Sequence, residues 1–137
     1  MRLSVALVLA LVLVGGCSSG EDAPAAAPTG ASAQQAQRFP DVVEAELTGS
    51  GDTFSLAVTV SSPYDTPDRY ADGWRVLAPD GTVLGEHTLG HDHASEQPFT
   101  RLQTGLEIPD GVDTVTVQGR DLANGYGGKT IDVPVRR

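Results

Sequence analysis

The chain has 137 residues, 18 acidic and 9 basic side chains, and a formal net charge of −9 at neutral pH. So acidic a surface is repelled by phosphate backbones and anionic head groups, which excludes a nucleic-acid partner and any membrane attachment through surface charge. Its single cysteine, Cys17, has no partner in the chain, so no internal disulfide staples the fold and the core must hold by burial.

Met1-Arg2 is a short positive start, and Leu3 to Val14 is an apolar run broken only by Ser4. As a helix this run would rise about 18 Å, well short of the roughly 30 Å of a bilayer core, so it reads as a signal-peptide core rather than a permanent span. Val14-Gly15-Gly16-Cys17 follows. This tetrad resembles the lipobox of bacterial lipoproteins. The resemblance implies that residues 1–16 are removed and that Cys17 is lipidated and becomes the new N-terminus. The protein is then held at the cell membrane, facing the extracytoplasmic side. Loss of Arg2 leaves 8 basic against 18 acidic residues, a net charge of about −10. The alternative is a secreted protein with a free Cys17. A lone exposed thiol is a liability in an oxidising compartment, and acylation removes it. Two or three acyl chains, at about 0.8 kcal/mol per buried methylene, make a stable anchor.

Residues 17–38 carry the cysteine and then a stretch of Ala, Pro, Ser, Gly and Gln without Leu, Ile, Val, Met or an aromatic ring. With nothing to bury, this linker is expected to be disordered, and as a flexible coil it reaches about 25 Å.

Residues 39–137 alternate with a period of two and show no helical period. Val43, Ala45 and Leu47 alternate with Glu44 and Glu46. After a turn at Gly49 to Asp52, Phe54, Leu56, Val58 and Val60 form the clearest half-buried strand. Trp74 and Val76 share a face, and Pro79-Asp80-Gly81 turns the chain into Thr82-Val83-Leu84. Phe99 to Leu106 is a weaker strand. Val115 and Val117 alternate with polar neighbours, and Ile131, Val133 and Val135 close the pattern. Seven short strands between turns predict an all-β, antiparallel β-sandwich, with a closed barrel as the competing arrangement. The lone Trp74 on the third strand resembles the core tryptophan of immunoglobulin and fibronectin type III sandwiches, without the cysteine pair of true immunoglobulin domains. The Trp74–Glu86 and His91–Arg101 stretches are also similar to small secreted bacterial β-domain proteins, which carry no established activity to transfer.

In a sandwich, alternate loops emerge at the same end. Residues 62–72, 90–98 and 122–128 are therefore expected together, beside the start of the first strand. This end would gather Tyr64, Tyr70, His91, Asp92, His93, Glu96, Asn124 and Tyr126, with Arg101, Arg120 and Asp121 close by. Loops on a rigid scaffold are the usual place for binding.

His91 and His93 lie at i and i+2, with Asp92 and Glu96 near enough to act as a third ligand or to orient a ring nitrogen. His87 has the same parity but sits about 13 Å away in extended chain, so it joins only if Gly90 turns. Such a set suits zinc or copper(II). The plainer reading is a polar loop whose carboxylates hydrogen-bond the histidines or the backbone. Asp65, Asp68 and Asp72 lack calcium-loop spacing and read as turn residues. Arg101, Arg120 and Asp121 read first as ion pairs between loops, and Trp74 as core. Tyr64, Tyr70 and Tyr126 divide between rim packing and a ligand surface. No nucleophile–base motif is present, so catalysis is not expected. The leading expectation is a membrane-anchored, non-catalytic module that binds a protein or small ligand through its loop end. The alternative is transition-metal binding by the His91/His93 loop.

Overall fold

The computed structural model describes residues 37–137. The expected signal peptide, Cys17 and most of the expected linker lie outside the described residues. Within them the chain is all β: β1 (Asp41–Ser50), β2 (Thr53–Ser61), β3 (Ala71–Leu77), β4 (Val83–Thr88), β5 (Phe99–Glu107), β6 (Thr114–Asp121), β7 (Gly125–Tyr126) and β8 (Ile131–Pro134). β1, β2 and β5 make one antiparallel sheet. β4, β3, β6 and β7 make the other, in which β8 pairs with β6 beyond the end of β7. Two separate sheets facing each other across one core make this a β-sandwich.

The core follows from the period-two pattern. Phe54, Leu56, Val58 and Val60 of β2 point inward against Trp74 and Val76 of β3 and Val115 and Val117 of β6. The Trp74 indole N–H, buried at the centre, donates to Gln103 Oε1 of β5 at 2.8 Å, so its one polar atom is satisfied across the two sheets.

Two features differ from the alternation read along the sequence. In β1 a bulge between Val42 and Glu44 resets the parity, so Val42 is buried and Val43 is 42% exposed. Ala45 and Leu47 still pack against the core. The second lies within residues 122–128, expected as loop, where Gly125–Tyr126 pairs with Arg120 and Asp121 of β6 as an extra two-residue strand. The final strand is thus divided into β7 and β8.

Chain entry explains the division. Pro40 is buried against Gly119, and the Phe39 ring sits over Gly127. A Cβ at Gly127 would lie 2.5 Å from that ring, and one at Gly119 would lie 2.7 Å from Pro40 Cγ. The backbone between β7 and β8 makes way for residues 39–40, and the Val42 amide then donates to Lys129 O at 2.9 Å before β1 joins the other sheet. Gln37 and Arg38, the last two residues of the expected linker, also engage the domain. Gln37 Nε2 donates to Ser61 O, Arg69 Nη2 to Gln37 O, and Asn124 Nδ2 to Arg38 O. The chain enters the sandwich at the end formed by the β2–β3 and β6–β7 loops.

Candidate functional site

The three loops expected at one end do meet, and the β2–β3 loop holds the other two. Asp65, 5% exposed, accepts from the Ala71 amide on Oδ1 and from the His93 amide on Oδ2, each at 3.0 Å. Ser62 N–H donates to Gln97 Oε1 at 2.6 Å. The Gln97 amide nitrogen donates in turn to Ser62 Oγ and His93 O, both at 3.1 Å. On the other side the Leu122 amide donates to Tyr70 O. These buried and half-buried polar groups fix the loops against one another. Gln97 was not singled out from the sequence, because nothing local distinguishes a glutamine that clasps two loops from one in solvent.

His93 is 3% exposed. It stacks on Phe99 of β5, with centroids 3.9 Å apart and planes 12° from parallel, and His91 covers its other side at 4.6 Å. Neither His93 ring nitrogen has a hydrogen-bond partner among the described residues. Burial, then the charge of Arg101 and then His91, lower its pKa, against smaller opposing pulls from Asp65 and Glu96. The ring is therefore held neutral. Asp92 Oδ1 accepts from the Ala94 amide, and Glu96 pairs with Arg101 at 2.6 Å on the surface. His87 is placed elsewhere: it sits on β4, directly opposite Trp74, with its ring stacked on the indole at 4.3 Å. His91 and His93 present ring faces to each other. No group of three His, Cys, Asp or Glu side chains among the described residues is placed to hold a metal ion.

A second cluster lies under the β6–β7 turn. Asp121 is 1% exposed, and its Oδ2 accepts from the amides of Ala123 and Asn124 and from the Asn124 side chain. Its Oδ1 lies 3.3 Å from Arg69 Nε, whose guanidinium also covers the Tyr64 ring. The Tyr64 hydroxyl and Asp121 Oδ1 are buried without a hydrogen bond of normal geometry, yet each shifts the other's ionisation. Burial first and then Asp121 push the Tyr64 hydroxyl far above the usual phenol range. For Asp121, burial acts to raise its carboxyl, but Tyr64, the two amides and Arg69 outweigh it and hold the group low. Asp121, read first as an ion-pair residue between loops, pairs here with Arg69, and Tyr64, read as rim packing or ligand surface, is buried beside it, so both act as internal supports. Arg69 is their partner and gave no local signal in the sequence.

The remaining expected residues lie along the outer face of the larger sheet. Arg120 pairs with Asp72 at 2.7 Å, an ion pair that ties β6 to the start of its neighbour β3, strand to strand rather than loop to loop. Tyr126 lies between the guanidinium groups of Arg75 (4.1 Å) and Arg120 (5.6 Å) and donates to the Glu86 carboxylate. Arg75 forks onto Gln118 Oε1. Tyr70 is half-buried. What the loop end offers to solvent is His91, Ala94 to Glu96, Thr66 to Asp68 and Leu122 to Asn124, with Leu122 47% exposed. No cavity is found among the described residues. Nor do they include a helix long and apolar enough to cross a membrane.

The chain is 39% identical over 97 residues to a protein of Halomicrobium mukohataei named "Putative lipoprotein". The match covers 70% of this chain and 47% of the relative, so the chain spans about half the length of the curated relative it matches. No family model matches the chain, and no solved structure matches it.

Proposed function

We propose that the protein is a lipid-anchored, extracytoplasmic, non-catalytic binding module. In this reading the loop end of an immunoglobulin-like sandwich engages a protein or small ligand. The anchor reading is supported by the Val14-Gly15-Gly16-Cys17 tetrad and by the name of the Halomicrobium relative. The observation that carries the loop end as the binding surface is its support from beneath. Exposed residues of three loops sit over buried Asp65 and Asp121 and half-buried Gln97, whose hydrogen bonds cross between loops or close them. A surface ordered in this way before it meets a partner loses less entropy on binding.

Two measurements test the reading. Cys17→Ser should abolish fatty-acid labelling and move the protein from the membrane to the soluble fraction; retention of both label and membrane would sink the anchor. For the binding surface, a photo-crosslinking residue at His91 or Leu122 should trap a partner in cells, and one at Gly81, on the β3–β4 turn, should not. Equal trapping from all three positions would remove the loop end from consideration.

A further inference from the structure

The β4–β5 loop has an unusual construction. Its backbone is held by Asp65 and Gln97, which make ordinary hydrogen bonds to His93 N–H and His93 O. Its one buried polar side chain, His93, makes none through its ring. The ring is held by contact alone, between Phe99 and His91.

We propose that residues 90–98 form a pH-sensitive latch, shut while the His93 ring is neutral and released when that ring takes a proton, which uncovers Phe99 and the Asp65 carboxylate. A neutral imidazole can sit in an apolar slot at modest cost. An imidazolium there carries a charge and two N–H donors that must be met. Every charged group around the ring already has an engagement or the wrong sign. Asp65, from the β2–β3 loop, spends both oxygens on backbone amides. Glu96, on the same loop, is exposed and paired with Arg101. Arg101, from β5, lies over the far ring Phe99 at 5.5 Å and opposes a positive neighbour, as does His91 when it is charged. The protonated ring is therefore more stable in water than in its slot. In the proposed release the backbone moves out with the ring, which breaks the bonds of Asp65 to His93 N–H and of Gln97 to His93 O and spreads the change to the junction of two loops. The released surface combines an aromatic ring with a carboxylate, so the loop end would present different chemistry to a partner in acid and at neutral pH. The latch is independent of whether the chain is lipidated.

The test uses the full chain in detergent micelles. Imidazole resonances of His87, His91 and His93 are followed by NMR from pH 8 to pH 4.5, with amide hydrogen exchange of residues 91–97 corrected for intrinsic rates. The expected result is that His93 binds its proton more weakly than an ordinary imidazole, and that exchange across 91–97 rises about tenfold or more as it titrates. His93→Phe keeps the ring stack and removes the titration, so exchange should then stay flat between pH 8 and pH 5. Should that variant fail to fold, the parent's own His93 titration still decides. The latch is overturned if His93 binds its proton as tightly as an ordinary imidazole, if the loop's exchange ignores its titration, or if zinc or a chelator moves the response. The last outcome would return the two histidines to metal chemistry.

Discussion

His87 and His93 are built alike and held differently. Each imidazole lies flat on an aromatic ring, His87 on Trp74 and His93 on Phe99, and burial lowers the pKa of each. His87, however, belongs to β4, where the register with β3 places it opposite Trp74. Its position is set by the backbone ladder. His93 belongs to a loop, and its backbone is placed by two side chains, Asp65 and Gln97. A ring on a ladder can lose a contact and stay in place. A ring held by side chains moves when those side chains, or its own charge, change.

The largest test of this contrast removes the platforms. Trp74→Ala and Phe99→Ala should each cost about 3–5 kcal/mol, with Trp74→Ala the worse because its ring fills the centre between the sheets. Denaturant melts read the totals. The contrast itself is read by hydrogen exchange: Phe99→Ala should loosen residues 91–97 below the global unfolding threshold, whereas Trp74→Ala should lower every strand together. Equal local loosening in both variants would erase the distinction between ladder and loop.

Next come the polar supports. Asp65→Ala leaves the buried amides of Ala71 and His93 without an acceptor and should cost about 2–4 kcal/mol. Gln103→Ala orphans one indole N–H and should cost about 1–2 kcal/mol. The first change should raise exchange at His93 and Ala94. The second should leave those amides alone and shift the Trp74 indole resonance.

Acid separates the groups by pH window. His93 and His87 are held below the ordinary histidine value of 6.5, so the unfolded chain binds their protons first. Their stabilisation is complete above about pH 6.5 and is lost as pH falls toward the lower folded values. Asp121 is held below 3.8, so its contribution persists through that window and disappears only in stronger acid. A melt series should therefore show two falls. His93→Phe and His87→Phe should each flatten part of the upper fall.

The same contrast explains what could be read in the sequence. β2 was legible because Phe54, Leu56, Val58 and Val60 obey an unbroken two-residue period. Trp74 was legible because a lone large ring between turns has few places to go but the core. The meeting of the three loops followed from strand alternation. The parity of β1 was hidden by its bulge, since one extra residue at Val43 leaves the composition unchanged while turning Val42 inward. β7 was hidden because two residues carry no period. In the candidate site, the histidine pair was visible and its packing was not. His-x-His in extended chain predicts two rings on one side, but whether they aim nitrogens or faces at each other depends on Phe99, six residues beyond His93. Gln97, Gln103 and Arg69 were invisible for a related reason. Each acts through a partner at least 29 residues away, and their residue types are those of any polar surface.

The smallest effects in stability come from Arg101 and Glu96, and they sharpen the comparison most finely. Their ion pair is short, at 2.6 Å, but both side chains are largely in solvent, where screening and side-chain entropy leave little net gain. Arg101→Gln and Glu96→Gln should therefore leave the denaturation midpoint at pH 8 almost unchanged. Their effects on His93 should nevertheless be opposite. The Arg101 charge disfavours a proton on that ring and the Glu96 charge favours one. Removing Arg101 should make His93 titrate at higher pH, and removing Glu96 at lower pH, while His87 on its ladder, to which neither charge contributes, holds still. NMR titration of the two variants reads both shifts in one experiment. If His87 moved with His93, the two histidines would share one field. The loop would then own no chemistry separate from the sheet beneath it.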